Sequence, residues 1–137
     1  MLKIEHIGIA VKNLEDSNHL FSILFGKAPY KTEIVETEGV RTSFFITGES
    51  KIELLEGIGT QNPITKFIEN NGEGIHHIAF EVVDILYEIN RLKKEGFVIL
   101  NEIPKKGADN KLIAFLHPKS TNGVLIELCQ EIKTVNG

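Results

Sequence analysis

The hydrophobic and polar positions of this chain run through the same order twice. In each half an alternating apolar segment predicts a strand, apolar residues at helical spacing predict a helix, and three further alternating segments predict strands. Residues 6–11 (HIGIAV) return as residues 77–82 (HIAFEV), and residues 51–55 (KIELL) return as residues 124–128 (VLIEL). The chain is therefore expected to contain two in-register β-α-β-β-β modules, and such a repeat governs every later inference about the fold.

The local signals predict the boundaries of these elements. A helix should begin after Asn13 and end at Gly26 in the first module, and a second should begin after Asp84 and end at Gly96, because these residue types favour helix N-caps and left-handed ends. Apolar residues recur at helical spacing in the first helix at Leu14, Leu20, Phe21, Leu24 and Phe25. Strands are predicted at residues 4–11, 31–36, 41–47, 51–56, 75–82, 97–102, 111–117 and 123–130, with a short helix at 63–70. The whole chain, 1–137, is read as one domain with module one at about 3–57, a linker at about 58–73 and module two at about 74–131.

Four polar residues interrupt these strands at equivalent positions of the repeat. His6 and His77 lie on the first strands, and Glu53 and Glu127 lie on the last. Side chains alternate along a strand, so His6 shares its face with the small residues Gly8 and Ala10, and His77 shares its face with Ala79, while the opposite faces are bulky.

Any one of these residues alone is more typical of a structural hydrogen bond or ion pair. All four together favour a divalent cation, because ionised carboxylates are costly to bury unless they are paired or bound to a metal. Two imidazoles and two carboxylates suit Co²⁺, Ni²⁺, Mn²⁺ or Zn²⁺.

Composition excludes several classes of partner. The net charge of −4 argues against a nucleic-acid ligand, and no apolar run is long enough to span a membrane. Cys129 is the single cysteine, and the first residues enter a strand pattern without a signal peptide. We therefore expect a cytoplasmic protein from a reducing compartment.

Positive charge is concentrated in one segment. Residues 105–120 carry four Lys and a single Asp: Lys105, Lys106, Lys111, Lys119 and Asp109. The segment is either an ordinary solvated surface or a patch that attracts an anionic substrate, because local positive potential concentrates anions.

The paired modules resemble those of the vicinal oxygen chelate superfamily, to which glyoxalase I belongs. The resemblance covers roughly residues 3–131. It implies an α+β fold in which two βαβββ modules form a curved, cleft-shaped mixed sheet around a metal.

A closer resemblance rests on three segments: residues 115–128 (FLHPKSTNGVLIEL), 74–82 (GIHHIAFEV) and 42–56 (TSFFITGESKIELLE). These are similar to methylmalonyl-CoA epimerases. That resemblance implies that His6, Glu53, His77 and Glu127 bind one divalent ion, with Co²⁺ favoured over Ni²⁺, Mn²⁺ and Zn²⁺. It also implies a small-molecule CoA thioester as substrate and a homodimer.

The implied reaction interconverts the C2 epimers of methylmalonyl-CoA through a metal-stabilised enolate. Two bases are needed, one on each face of the planar enolate. Glu127 is predicted as the first base. Glu53, Glu36 and Glu38 remain alternatives for the second, because the strand after residue 40 carries Thr42 and Ser43 rather than a carboxylate.

Three residues near the end of the second module are predicted to contact the substrate: His117, Lys119 and Ser120. Two rival functions remain open. One is a glyoxalase I-type lyase acting on a glutathione hemithioacetal, and the other is a metal-free small-molecule binding member of the superfamily.

Overall fold

The computed structural model describes residues 1–132, which contain three α-helices and eight strands. The helices are α1 (Leu14–Phe25), α2 (Pro63–Asn71) and α3 (Ile85–Lys94). The strands are β1 (Lys3–Ala10), β2 (Lys31–Val35), β3 (Val40–Thr47), β4 (Ser50–Gly57), β5 (Gly74–Glu81), β6 (Lys105–Lys106), β7 (Lys111–Leu116) and β8 (Ile126–Glu131). Three short 3₁₀ turns lie at Glu36–Glu38, Ala108–Asn110 and Pro118–Ser120. Both modules thus follow the predicted element order, and the predicted helix at 63–70 is α2.

The chain divides into two compact units, each of which contains one of the two His residues predicted to bind metal. The His6 unit comprises His6–His76, and the described part of the His77 unit comprises Met1–Glu5 with residues 77–132. The prediction that the whole chain is one domain stays a prediction.

In the His6 unit the strands lie in the order β2-β3-β4-β1. Strand β1 is parallel to β4, and β3 is antiparallel to both of its neighbours. One face of this sheet is covered by α1, whose Phe21 and Phe25 rings pack on Phe45 with Leu54 in the same cluster. The opposite face is covered at one end by α2, where the cluster is formed by Ala10, Val40, Leu55, Ile64, Phe67 and Ile68.

In the His77 unit the strands lie in the order β5-β8-β7-β6, with β5 parallel to β8. One face packs on α3 in the largest apolar cluster of the unit, which includes Val82, Ile85, Ile89, Leu92, Ala114, Leu116 and Leu128. The other face carries a smaller cluster of Ala79, Ile113, Phe115 and Cys129. In both units the helix that follows the first strand, α1 or α3, covers one face of the sheet. Polar side chains can therefore lie on the other face.

The predicted helix ends are confirmed at the level of individual hydrogen bonds. The Asn13 side chain accepts from the amide of Asp16, and the Asp84 side chain accepts from the amide of Tyr87. Gly26 ends α1 with φ of 71°, a left-handed conformation that a residue without Cβ adopts at little cost.

The strand predicted at residues 97–102 is wrong. Only an isolated bridge between Ile99 and Leu116 forms there, and the short strand β6 comes later. Side chains take over part of the ladder, because the Val98 amide donates to Ser120 Oγ and the Phe115 amide donates to Asn101 Oδ1. An alternating apolar pattern does not reveal that competition.

Helix α1 buries less of its apolar surface than its sequence suggests. Leu14 is buried, but Leu20 and Leu24 are 63% and 68% exposed, and Ile23 is exposed as well.

None of the helices within residues 1–132 is long and apolar enough to span a membrane.

Candidate metal and acid–base site

His6 and Glu53 are brought together inside the His6 unit by the parallel pairing of β1 with β4. The register places Gly8 beside Glu53 and His6 beside Lys51, so His6 and Glu53 are diagonal neighbours on one face. The distance from His6 Nε2 to Glu53 Oε1 is 3.3 Å, and both side chains are buried.

Strand β3 completes this half of the site. Thr42 Oγ1 donates a hydrogen bond of 2.9 Å to Glu53 Oε2. Phe44 is the direct partner of Glu53 across the ladder, and its ring lies edge-on to the His6 ring at 6.3 Å. One carboxylate oxygen is thus held by a hydroxyl group, while the other faces an imidazole nitrogen.

The His77 unit contains a matching pair. Strand β5 runs parallel to β8, with Ala79 beside Glu127. The distance from His77 Nε2 to Glu127 Oε1 is 3.6 Å, and both side chains are buried. Ala79 takes the place that Gly8 has in the other unit.

The surroundings of Glu127 also repeat the first pattern, with one substitution. Cys129 Sγ donates to Glu127 Oε2 at 2.7 Å. Phe115 pairs with Glu127 across the ladder, and its ring lies edge-on to the His77 ring at 6.0 Å. A thiol from the same strand therefore supplies the contact that the Thr42 hydroxyl supplies to Glu53 from a neighbouring strand.

The donor atoms fit a divalent ion of the kind predicted. Each unit presents an imidazole nitrogen and a carboxylate oxygen on one buried face, and these are the ligand types of Co²⁺, Ni²⁺, Mn²⁺ and Zn²⁺. The second oxygen of each carboxylate is hydrogen-bonded, which orients the group as supporting bonds orient ligands in metal sites.

Of the three predicted substrate residues, Lys119 and Ser120 lie in the 3₁₀ turn before β8, and His117 caps its start. The His117 Nδ1 atom accepts from the Lys119 amide at 3.0 Å, so a neutral His117 carries its proton on Nε2. Ser120 Oγ accepts from the Val98 amide, and its own proton remains available for donation. Lys119 is exposed.

The alternative acidic residues lie in a turn rather than on a strand. Glu36 and Glu38 form the 3₁₀ turn between β2 and β3, where Glu36 is exposed and Glu38 is half-buried. Thr42 faces Glu53, whereas Ser43 lies on the opposite face within hydrogen-bond distance of Thr32 Oγ1. Of the two hydroxyl residues discussed from the sequence, only Thr42 belongs to the site face.

His76 and His19 do not join these pairs within their own unit. The His76 ring packs edge-on against Phe67 of α2 at 5.1 Å, and His19 is exposed on α1.

Sequence reasoning missed the contacts of Thr42 and Cys129. A signal existed for Cys129, which follows Glu127 by two residues on the same face of a strand; Thr42 comes from another strand, and only the register reveals it.

The predicted superfamily is confirmed by comparison with known proteins. The family model of the Glyoxalase/Bleomycin resistance protein/Dioxygenase superfamily matches residues 5–115. The chain belongs to this superfamily. Its α+β fold of two βαβββ modules is the fold of this glyoxalase-like group.

Several members of the superfamily are similar over nearly the whole chain. The mitochondrial methylmalonyl-CoA epimerase of Dictyostelium discoideum is 43% identical, over 92% of this chain and 76% of that protein. The ethylmalonyl-CoA/methylmalonyl-CoA epimerase of Cereibacter sphaeroides is 40% identical, over 93% of this chain and 97% of that protein. A solved Streptomyces coelicolor methylmalonyl-CoA epimerase, in complex with 2-nitronate-propionyl-CoA, is 33% identical with a TM-score of 0.90, covering 96% of this chain and 95% of that chain.

Proposed function

We propose that this protein is a metal-dependent epimerase that interconverts the C2 epimers of methylmalonyl-CoA. The observation that carries the proposal is the pair of buried His–Glu contacts, His6 with Glu53 and His77 with Glu127, at equivalent positions of the repeat. The names of the similar proteins support the same reaction and the same thioester substrate.

The proposed metal ligands are His6, Glu53, His77 and Glu127. His6, His77 and Glu127 are each buried and each offers one ligand atom. A divalent ion, with Co²⁺ favoured over Ni²⁺, Mn²⁺ and Zn²⁺, would stabilise the negative charge that develops on the thioester oxygen as the C2 proton leaves.

In the proposed reaction Glu127 removes the proton from C2. Its Oε2 atom is occupied by the Cys129 thiol, so the orientation of the carboxylate is fixed. The planar enolate must then receive a proton on its other face to give the opposite epimer. Glu53 is the proposed second group because the repeat makes it the counterpart of Glu127, with Glu36 and Glu38 as the alternatives.

We propose that His117, Lys119 and Ser120 bind the substrate. The exposed ammonium of Lys119 can pair with a carboxylate or phosphate, and His117 Nε2 and the Ser120 hydroxyl can donate hydrogen bonds. All three residues lie shortly before β8 in the chain, and β8 carries Glu127.

Two rival functions predict different outcomes. A glyoxalase I-type lyase would use similar ligands but would convert a glutathione hemithioacetal. A metal-free binding member of the superfamily would have no use for two buried carboxylates, each oriented by a side-chain donor.

We also propose a cytoplasmic homodimer, which predicts a particle of twice the 15.3 kDa chain mass in light scattering.

The proposal is tested by proton NMR of methylmalonyl-CoA in D₂O, in which the enzyme should exchange the C2 proton for deuterium. Bound metal is assayed on the same protein, purified without chelator. The variants His6→Ala and His77→Ala should lose most of the metal and the exchange, since each removes an imidazole ligand. His19→Ala, which changes an exposed His on α1, is the matched control. Full metal content and exchange in both ligand variants would refute the site, and turnover of a hemithioacetal without C2 exchange would favour the lyase.

A further inference from the structure

Lys111 is a buried cation on the same sheet face as the His77–Glu127 pair. It is the first residue of β7 and is only 8% exposed. Side chains alternate along a strand, so Lys111, Ile113 and Phe115 share one face. Phe115 is the residue whose ring contacts His77, and Ile113 lies in the cluster with Cys129. Lys111 therefore extends the site face by four residues, about 13 Å along the strand.

No carboxylate oxygen within residues 1–132 lies close enough to the Lys111 ammonium to form an ion pair, taking 4.0 Å as the limit. Glu131 is its direct partner across the ladder, but that side chain is exposed and is not in contact with the ammonium. Lys105, Lys106 and Lys119, the other cations of the basic segment, are all exposed. Within residues 1–132, Lys111 is therefore a mostly buried side chain without a carboxylate partner, and its ammonium can pair with an anion that enters the site face.

The repeat shows what an ordinary structural residue at this position looks like. Val40 begins β3 four residues before Phe44, as Lys111 begins β7 four residues before Phe115. Val40 is buried in the apolar cluster that α2 forms on the His6 unit. The same strand position thus carries an apolar core residue in one unit and a charged residue in the other.

We infer that Lys111 is an anion-binding residue of the substrate site, where its ammonium pairs with an anionic group of the acyl-CoA. The inference rests on the proposed function, and it names a residue that the sequence assigned only to a general basic patch. An acyl-CoA of this type offers two anions of suitable chemistry: the carboxylate on C2 and the phosphates of the CoA moiety. Both accept charge-assisted hydrogen bonds from an ammonium group.

The test compares Lys111→Met with the wild type, because Met keeps an unbranched apolar stem and removes the charge. Lys94→Met is the matched control, since Lys94 is exposed on α3 in the same unit and changes the net charge equally. We expect Lys111→Met to raise KM for methylmalonyl-CoA by about 10-fold or more with kcat nearly unchanged, because hydrogen bonds to charged groups contribute substantially to binding. Lys111→Arg should recover most of the affinity.

Two further ligands distinguish the sources of the anion. Methylmalonyl-pantetheine has the carboxylate but no phosphate, and propionyl-CoA has the phosphates but no carboxylate. A penalty with methylmalonyl-pantetheine assigns Lys111 to the carboxylate, and a weaker Kd for propionyl-CoA in calorimetry assigns it to a phosphate. Calorimetry needs no turnover, so it separates this inference from the epimerase activity: a wild type that binds these thioesters without epimerising them would overturn only the proposed function.

A purely structural Lys111 would behave differently. If Lys111 serves substrate binding, the melting temperature of Lys111→Met should be unchanged or higher, whereas loss of a structural contact lowers it. Lys111→Gln provides a second neutral variant if Met is poorly tolerated. Unchanged KM and Kd in both neutral variants, or equal losses in Lys94→Met, would overturn the inference.

Discussion

At the scale of single residues, the two buried carboxylates are held by different donors. Glu53 accepts from the hydroxyl of Thr42, and Glu127 accepts from the thiol of Cys129. In each case the hydrogen bond engages Oε2 and leaves Oε1 as the atom nearest to the imidazole. This division of the oxygen atoms allows one carboxylate to be oriented by the protein and still be used in chemistry.

The proton-transfer role of Glu127 predicts a large loss of rate in Glu127→Gln. The amide keeps the size and one ligand oxygen but loses basicity, and loss of a general base typically slows a reaction by about 10²- to 10⁴-fold. C2 deuterium exchange and metal content are measured together, with the exposed Glu131→Gln on the same strand as control. Lost exchange with retained metal fits the base role. Near-normal exchange would transfer that role to Glu53, Glu36 or Glu38.

The Thr42 hydrogen bond predicts a stability effect. Thr42→Val keeps the shape but leaves a buried carboxylate oxygen without this donor, which should lower the free energy of unfolding by about 1–3 kcal/mol. Thr42→Ser should restore most of the loss because it retains the hydroxyl. Urea unfolding measures the difference, and equal stability of the Val and Thr proteins would show that the hydrogen bond contributes nothing.

At the scale of elements, the basic segment separates into parts with different surroundings. Lys105 and Lys106 form the short strand β6, Lys119 lies in a 3₁₀ turn, and Lys111 is buried on β7. The exposed members can act before contact, because a surface charge raises the local concentration of an anion.

Neutralising Lys106 and Lys119 together should therefore raise KM for a CoA thioester at low ionic strength. The effect should shrink as salt is added, because the Debye length falls to about 10 Å at 0.1 M salt. Steady-state kinetics at two salt concentrations make the measurement. Identical KM values for the variant and the wild type at both salt levels would leave the exposed Lys residues as plain surface.

At the scale of the whole molecule, the proposed ion should couple its binding to folding. Buried carboxylates and imidazoles that bind a cation only in the native state stabilise that state, by about 2.7 kcal/mol when free metal is 100 times its Kd. Removal of metal with a chelator should lower the melting temperature, and addition of Co²⁺ should restore it. The His77→Ala variant should respond less to the same metal, and an unchanged melting temperature after verified metal removal would contradict the proposed site.

Much of the fold could be predicted because its signals are local. Alternation placed the candidate His and Glu residues on strand faces, and side-chain caps at Asn13 and Asp84 marked the helix starts. The prediction failed at residues 97–102, where Ser120 and Asn101 side chains replace ladder hydrogen bonds. Each of these side chains accepts from a backbone amide far away in the sequence, so a local pattern of apolar residues does not predict the hydrogen bond.

The sequence by itself determined the repeat and the four candidate ligands, because strand periodicity and residue spacing are properties of the chain. Its resemblance to known proteins indicated the superfamily. Only the tertiary structure decided that Thr42 reaches Glu53, that Leu20 and Leu24 stay exposed, and that Lys111 is buried. These facts depend on strand register and on which faces are covered. Both arise from contacts between residues far apart along the chain, which no local spacing specifies.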